Sequence, residues 1–217
     1  MGKVKQQRSD TIAKKRRIIT AALDCFSETG YVSSTMEDIR VASGASNGSI
    51  YHFFKSKEQL ATEVYLEGIR DYQKGLLKTL GKLPAKEGVY AIVRYHLTWI
   101  GANRRWAQYL FSERHSDFMA DSEDAIAQHN KEFYSSLSLW LRTQVLKGKI
   151  RRLPSPLYTA IIWGPCQEYA RLWIAGYCGN EDVEPAIKEL SNATWLALRT
   201  NSDEADNKSP ISKRRQA

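Results

Sequence analysis

Two short helical patterns, residues 35–43 and 46–54, are joined by a turn that contains Gly44. A hydroxyl residue stands where each helix would begin, as is typical of a helix N-cap. Two short helices on a tight glycine-containing turn form the helix-turn-helix arrangement, in which the second helix enters the DNA major groove. The sequence therefore predicts a DNA-binding element over residues 35–54.

The starts of two helices in this region carry side chains suited to an anion. Ser34 and Thr35 are both candidate N-caps of the first short helix, and Glu37 or Asp38 would complete a capping box. Thr35 and Lys57 each combine a donor side chain with a helix N-terminus, whose free N–H groups and dipole favour negative charge. Both are therefore predicted to contact DNA phosphates, one on each side of the groove.

The second short helix divides into two faces. Ile50, Phe53 and Phe54 share one face and are predicted to pack on Ile39 and Phe26. The opposite face carries small or polar side chains that would let the helix backbone approach base edges and phosphates. Its residues are Asn47, Gly48, Ser49, Tyr51 and His52. The asparagine amide suits an adenine edge, whereas for the tyrosine and the histidine an ordinary surface position is the alternative interpretation.

Helical periodicity recurs along the chain and strand alternation is scarce, so the predicted fold class is all-α. Further helices are predicted at residues 11–29, 56–80, 85–100, 103–113, 122–147, 155–175 and 183–199. Five of these patterns end at a glycine, which commonly follows a helix because it readily adopts the left-handed conformation. The predicted stops are Gly30, Gly81, Gly101, Gly148 and Gly176. The polar tail, residues 201–217, is predicted to be disordered.

The positive charge of the chain is concentrated at its N-terminus. The formal net charge is +8, and residues 1–17 carry seven Lys or Arg side chains against one acid, Asp10. Such an arm is predicted to add nonspecific phosphate contacts, and a solvated tail is the alternative. The three cysteines show no CxxC spacing, and no signal peptide is visible, so a cytoplasmic protein is expected.

No membrane segment is expected either. The most apolar stretch, residues 157–178, is interrupted by Glu168, Arg171 and the pair Gly164-Pro165. Charges within a largely apolar helix are costly unless they are paired. The two charged residues are therefore predicted to pair with each other, across a dimer or with a ligand.

Residues 12–60 resemble the DNA-binding domain of the TetR (tetracycline-repressor) family of bacterial transcription regulators. The matching features are an Ile/Ala/Phe first helix, a Gly-Tyr bend, a Ser-Thr cap, Ile39, Ala42 and Gly44 around the turn, and the segment SIYHFFKSKEQL at residues 49–60. The resemblance implies that Tyr51, Lys57 and Thr35 contact the DNA backbone. It also adds Ser46 to the surface formed by Asn47, Gly48, Ser49 and His52.

The resemblance implies an organisation for the whole chain. A flexible basic arm (residues 1–11) would precede a helix-turn-helix domain (residues 12–57), a larger ligand-binding and dimerisation domain (residues 58–200) and the tail. About nine helices and a homodimer on a palindromic operator are expected. The implied function is a regulator, most often a repressor, released from double-stranded DNA by a small-molecule effector. A DNA-binding adaptor whose C-terminal domain recognises a protein is the alternative.

Residues 155–199 are predicted to form the dimer interface through two long helices. Small residues, such as Ala160, Gly164 and Ala193, permit close helix approach, and large apolar residues alternate with them. The predicted interface residues are Ile161, Leu172, Ile187, Leu190 and Leu198. A purely intrachain core is the alternative interpretation.

Large aromatic side chains in the central region are candidates for an effector pocket. Rings with polar tips suit a planar or apolar ligand, although aromatic residues at helical spacing are also typical of an ordinary core. The predicted pocket residues are Trp99, Trp106, Tyr109, Phe133, Trp140, Trp163, Gln167 and Tyr169. His96, Arg104, Arg105, Glu113, Gln144 and Glu168 are further polar candidates.

Other chemistry has no support in the sequence. The histidines and cysteines show no metal-ligand spacing, so no metal site and no cofactor are expected. GxxxxGK[ST] and GxGxxG are absent from the sequence, and the one GxSxG match, residues 44–48, falls on the turn predicted between two short helices and not on a strand-to-helix elbow. The chain is therefore not predicted to be an enzyme, although a helical enzyme or carrier with an accidental helix-turn-helix is a further alternative.

Overall fold

The structure, a computed structural model, describes residues 2–112, 123–178 and 182–200, without the side chains of residues 2–5, 123, 125 and 129. Within these ranges it has nine helices and a single isolated antiparallel bridge between Ile150 and Arg199. The helices are α1 (Gly2–Thr29), α2 (Met36–Ser43), α3 (Asn47–Phe53), α4 (Lys57–Leu80), α5 (Ala85–Ala102), α6 (Arg104–Ser112), α7 (Glu123–Leu146), α8 (Ser155–Ile174) and α9 (Glu184–Leu198). The all-α prediction is confirmed. The tail predicted at residues 201–217 lies outside the described residues, as does Glu113.

Most predicted helix ends agree with the structure. A glycine with positive φ follows α1, α2, α4, α7 and α8, at the positions where the sequence predicts that these helices stop. Gly101 is the exception, because α5 continues through it to Ala102. A Cβ atom at Gly101 would lie 2.7 Å from Cη2 of Trp173, so this glycine makes room for an indole ring and does not end the helix.

Helix α1 begins at Gly2, nine residues before the predicted start at residue 11. The segment before residue 11 contains no proline, and its Gln, Lys and Arg residues are good helix formers. The Gln6 amide also donates a hydrogen bond to Asp10 at i+4 (3.2 Å). This segment is therefore helical, although it is polar and has no apolar stripe.

The chain divides into two compact units, which differ from the predicted contiguous domains. The first comprises residues 1–74 and 102–132, and the second comprises residues 75–101 and 133–217. In the first, apolar residues of α1, α2, α3 and α4 form one cluster, joined by Tyr109 of α6. Its fully buried members include Ile18, Ala22, Ile39, Ile50, Phe54, Leu60 and Val64.

The second unit is organised around α5, which buries an apolar face that includes Val89, Ile92, Val93 and Leu97. Arg94 of α5 forms a two-bond ion pair with Glu184 of α9 (2.5 and 2.9 Å). No helix in the described ranges has the length and apolar character needed to cross a membrane.

Candidate DNA-binding surface

Helix α2 begins with a complete capping box. The Thr35 hydroxyl accepts from the backbone N–H of Asp38 (3.1 Å), and the Asp38 carboxylate accepts from the Thr35 backbone N–H (2.9 Å). The same carboxylate accepts from the Thr35 hydroxyl (2.7 Å). The pKa of Asp38 is held below its usual range, mainly by the bond from the Thr35 hydroxyl and next by the bond from the Thr35 backbone N–H. Of the two predicted caps, Thr35 is therefore the one used, with Asp38 as its partner.

Ser34 has a different role. It is buried, and its hydroxyl donates to the carbonyl oxygens of Gly30 (2.7 Å) and Cys25 (3.2 Å). It also lies 2.8 Å from the Thr29 hydroxyl oxygen. Ser34 thus attaches the segment before α2 to the end of α1, which fixes where α2 starts.

The turn between α2 and α3 depends on Gly44 and Arg40. Gly44 has φ of 63°, and its N–H reaches the carbonyls of Arg40 and Val41. The Arg40 guanidinium forms a fork on Glu37 (2.7 and 2.6 Å) and donates a third bond to the Ala45 carbonyl (3.3 Å). The predicted helix-turn-helix is therefore present. Its turn is supported by Arg40 of α2, a residue that was not predicted from the sequence to have a role.

Helix α3 has the two predicted faces. Ile50 and Phe54 are fully buried in the first unit's core, and Phe53 is partly buried against it. Ser46 caps the helix by accepting from the Ser49 backbone N–H (3.2 Å). The predicted outward residues are exposed, apart from the partly buried Ser49; they are Asn47, Gly48, Tyr51 and His52. Tyr51 is 49% exposed, and a Cβ atom at Gly48 would meet nothing within 4 Å.

The structure gives Lys57 intrachain partners for its ammonium group. Its Nζ donates to the carbonyl oxygens of Tyr31 (2.9 Å), Val32 (3.3 Å) and Ser34 (2.9 Å). An ammonium has three donors, and all three are used by these bonds. Lys57 lies at the start of α4 as predicted, but it holds the turn after α1, and its phosphate contact stays a prediction.

The N-terminus of α4 also has its own partners. The Ser56 hydroxyl accepts from the Gln59 N–H (3.2 Å), while the Gln59 amide oxygen accepts from the N–H of Lys55 (2.7 Å). Gln59 thus bonds to the residue before Ser56, whereas in a capping box it would accept from the N–H of Ser56 itself. Glu58 stands beside it, and its own backbone N–H, followed by the Ser56 hydroxyl, lowers its pKa.

Positive charge borders this surface at positions that the sequence had not individually identified. Exposed Arg16 and Arg17 of α1 line a groove of about 470 Å³ whose other wall includes Ser43 of α2. Exposed Lys55, directly after α3, donates to the Tyr51 carbonyl (2.9 Å). Only the general basicity of residues 1–17 pointed to the two arginines.

The predicted effector residues do not form one set. Trp106 and Tyr109 belong to the first unit. The Tyr109 ring stacks on Phe26 at 5.8 Å, and its hydroxyl donates to the Ala61 carbonyl (3.0 Å), so it supports the core beneath the helix-turn-helix. A Cβ atom at Gly68 would lie 2.7 Å from the Trp106 ring, which is packed on α4.

The remaining predicted effector residues belong to the second unit. Trp99, Phe133 and Trp140 are buried, and Trp163, Gln167 and Tyr169 are half-buried. The Trp140 indole donates to the Leu83 carbonyl (2.9 Å) and lies against Gly88, so its surroundings are those of a core residue. Gln167 hydrogen bonds to buried His96, whose pKa is lowered by burial to about 4.

The predicted interface residues fall into two groups. Ile187 is 2% exposed and Leu198 is 0% exposed, so these side chains are enclosed within the protomer and do not reach its surface. Ile161, Leu172 and Leu190 are half-buried. Glu168 and Arg171 pair with each other through two bonds (2.9 and 2.6 Å), which is the first of the three predicted arrangements.

Comparison with known proteins extends these observations. Residues 18–64 match the model of the family described as bacterial regulatory proteins, tetR family. A fatty acid metabolism regulator protein of Bacillus subtilis (strain 168) is 24% identical over 187 residues, covering 85% of this chain and 93% of the relative.

Solved structures share the fold. A TetR family transcription regulator from Marinobacter aquaeolei VT8 superimposes with a TM-score of 0.72 at 20% identity, covering 89% of this chain and 98% of that one. The transcriptional regulator FadR from Bacillus subtilis, solved in complex with stearoyl-CoA, gives a TM-score of 0.69 at 22% identity, covering 83% and 95%.

Proposed function

We propose that the chain, whose residues 18–64 match the model of the tetR family, belongs to this family of bacterial regulatory proteins and is a repressor that binds a palindromic operator as a homodimer. It is a DNA-binding transcription regulator, and the observation that carries the proposal is the α3 face. That face is small and exposed, while the opposite face is fixed in the core by Ile50 and Phe54. A reading surface on a rigid element is what sequence recognition in the major groove requires.

The proposed DNA contacts divide between base edges and the phosphate backbone. Asn47, with its amide donor and acceptor, contacts a base edge, helped by the absence of a side chain at Gly48. Ser46, Ser49, Tyr51 and His52 contribute hydrogen bonds to bases or phosphates. Thr35 contacts a phosphate on its own side of the groove. Lys57 either contacts a phosphate as well or positions the turn at residues 31–34 that precedes Thr35.

The basic surface of α1 adds affinity without sequence information. Arg16, Arg17 and the exposed positive side chains before them neutralise phosphates on either side of the operator. Binding therefore weakens steeply as salt increases. The protein acts in the cytoplasm, on chromosomal DNA.

The dimer forms through the outer faces of α8 and α9. Leu157, Ala160 and Gly164 are exposed along α8 at i, i+3 and i+7, and Ala193 and Leu196 are exposed along α9. A surface of small and apolar side chains on two neighbouring helices supports close packing against a second copy. The half-buried Ile161, Leu172 and Leu190 border this surface, whereas Ile187 and Leu198 support it from inside.

An effector bound in the second unit releases the operator. Trp99, Trp163, Gln167 and Tyr169 are the predicted residues that best suit this role, because they combine ring surface with polar tips. The fatty acid metabolism regulator and the stearoyl-CoA complex among the similar proteins support an apolar effector. Release requires that the effector bind the DNA-incompetent state more tightly than the competent one.

Selection of bound sequences from a random duplex library tests the proposal directly. The purified full chain is expected to enrich a palindrome whose half-sites are centred about 34–36 Å apart, which is one helical turn. The matched control is Asn47→Ala, which should lose the preference at one position of each half-site. Salt-sensitive binding without any consensus would contradict sequence recognition and leave only the basic surface of α1.

A further inference from the structure

The second unit contains a cleft with a cavity volume of about 500 Å³, and five of its eleven lining residues are basic. Its walls are the α4–α5 loop, the first turn of α5 and the ends of α7 and α9. The basic residues are Lys82, Lys86, Lys147, Lys149 and Arg199. Glu87 is the one acid in the lining, so the cleft has a strong excess of positive charge. The volume lies in the range of small-molecule sites.

The N-terminus of an 18-residue helix, α5, forms part of this lining. The Gly88 N–H donates to the Pro84 carbonyl (2.8 Å) as the first bond of the helix. The N–H groups of Ala85, Lys86 and Glu87 precede that bond and have no helical carbonyl to pair with. Together with the helix dipole, they favour an anion at this end of the cleft.

Gln144 of α7 gives an independent indication of a ligand. It lines the cleft and is only 5% exposed, yet its carboxamide makes no hydrogen bond with the described part of the chain. Its amide atoms are not among the enclosed atoms that lack a partner, so they face the cleft, where they are open to water or to a ligand. A bound molecule with acceptor oxygens would satisfy the Gln144 amide.

The walls of the cleft are held together in spite of the repulsion between their charges. The Arg151 N–H donates to the Leu198 carbonyl (2.9 Å), and the Thr200 hydroxyl donates to the Gly148 carbonyl (2.6 Å). These bonds fix the segment that carries Lys147 and Lys149 beside the end of α9. On the other wall, the bond from Trp140 to Leu83 fixes the loop that carries Lys82.

We propose that this cleft binds a phosphorylated small molecule. The lysines and Arg199 contact its phosphate oxygens, the α5 N–H groups receive one of them, and the Gln144 amide donates to another. The buried Trp195 ring, which lines the same cleft, provides an apolar wall for the organic part of the molecule. The site goes beyond the proposed repressor function and does not depend on it, because every lining residue belongs to the second unit.

Titration calorimetry on the full chain tests the site with three probes: pyrophosphate, ATP and adenosine. Pyrophosphate and ATP are expected to bind at near-physiological salt, and adenosine is not. In the variant Lys82→Gln plus Lys147→Gln, the affinity for ATP should fall by at least about tenfold, which corresponds to 1.4 kcal/mol. The addition of Gln144→Glu, which keeps the side-chain size and adds a negative charge, should lower the affinity for ATP further.

Two control variants remove the same charge elsewhere. Arg8→Gln plus Lys14→Gln changes exposed residues of α1, and Lys131→Gln plus Lys188→Gln changes exposed lysines outside the cleft. Both are expected to bind ATP like the unmodified protein. Equal losses in the cleft variant and in either control would overturn the proposal, as would binding of adenosine as tight as that of ATP.

Two further measurements separate the remaining outcomes. The sequence has acids at positions 203, 204 and 206, four to seven residues after Arg199. If ATP bound only after Asp203→Asn, Glu204→Gln and Asp206→Asn, the cleft would be occupied by the chain itself and the proposal would fail. Operator binding by the cleft variant is measured separately. It should be retained, so a negative result with the probes leaves the repressor proposal untouched.

Discussion

The ammonium nitrogen of Lys57 lies 4.4 Å from the centroid of the Tyr31 ring and 2.9 Å from the carbonyl oxygen of the same residue. Tyr31 in turn packs edge-on against Phe26 of α1 and donates from its hydroxyl to Glu58 (3.1 Å). The start of α4 is thereby tied to the end of α1 through one side chain. Because Thr35 follows this turn, Lys57 influences the DNA surface through the position of the backbone.

Lys57→Met is expected to lower the free energy of unfolding by about 1–3 kcal/mol, because it removes charged hydrogen bonds to main-chain carbonyls while keeping the aliphatic stem. Urea unfolding followed by circular dichroism measures the change. The control is Lys55→Met, which removes an exposed lysine with one main-chain bond and should change stability little. If the two variants unfold alike, Lys57 does not hold the turn.

Tyr51→Phe is expected to leave stability unchanged and to weaken operator binding about three- to tenfold, the value of one hydrogen bond. The Tyr51 hydroxyl has no partner among the described residues, so the folded protein loses no bond. Fluorescence anisotropy with a labelled operator gives the affinity. Tyr134→Phe, on an exposed ring of α7, is the matched control, and an equal effect of both would remove Tyr51 from the contact surface.

Gly48→Ala separates folding from recognition. Alanine in place of a helical glycine stabilises by up to about 1 kcal/mol, and the added methyl group meets no atom of the protein. The variant should therefore melt at the same temperature or higher, yet bind operator more weakly because the methyl group faces the groove. Thermal melting and anisotropy are measured on the same preparation. Undiminished affinity would show that the α3 backbone does not approach DNA closely.

How far the sequence predicted this molecule depends on the range of each interaction. Capping residues and glycine stops act within one turn, so the helix-turn-helix and most helix ends were predictable from neighbouring residues. Gly101 was misassigned because its reason lies on α8, where the Trp173 ring needs the space. Likewise, nothing local shows that Lys57 reaches back to residues 31–34 or that Tyr109 stacks on Phe26.

The same limit applies to the second unit. Periodicity identifies the apolar residues of α9 but not whether they face the protomer's own core or a partner, and Ile187 and Leu198 face the core. The basic cleft is drawn from the α4–α5 loop, the start of α5 and the ends of α7 and α9, which lie far apart in the chain. In the sequence, Gln144 is only one polar side chain among several, because its position in the cleft without a hydrogen-bonding partner appears only after folding.

Gly164→Arg is expected to convert the proposed dimer into a monomer. A Cβ atom at Gly164 meets nothing within 4 Å in the protomer, so an exposed arginine is tolerated there, whereas an interface of small residues has no room for it. Sedimentation velocity gives the oligomeric state, and operator affinity should fall with dimer loss. Lys188→Arg is the control. A dimer that persists in Gly164→Arg would place the interface elsewhere.

His96 should make stability depend on pH. Burial lowers its pKa in the folded protein to about 4, while the hydrogen bond with Gln167 acts in the opposite direction and is the weaker influence. The unfolded chain, with the ordinary histidine pKa of about 6.5, therefore binds a proton that the folded chain does not accept. The stabilising contribution is complete above pH 6.5 and is lost progressively as the pH falls towards 4.

The free energy of unfolding is expected to decrease in this window by about 1.4 kcal/mol for each pH unit that separates the solution from the unfolded pKa. Urea unfolding at a series of pH values measures the slope. In His96→Gln, which keeps a polar side chain of similar reach beside Gln167, the slope attributable to this residue should disappear. His52→Gln is the control, because it removes an exposed imidazole on α3, far from the enclosed site of His96 in the sequence. If His96→Gln kept the full slope, another group would be the source, and the enclosed imidazole would not be held neutral by its surroundings.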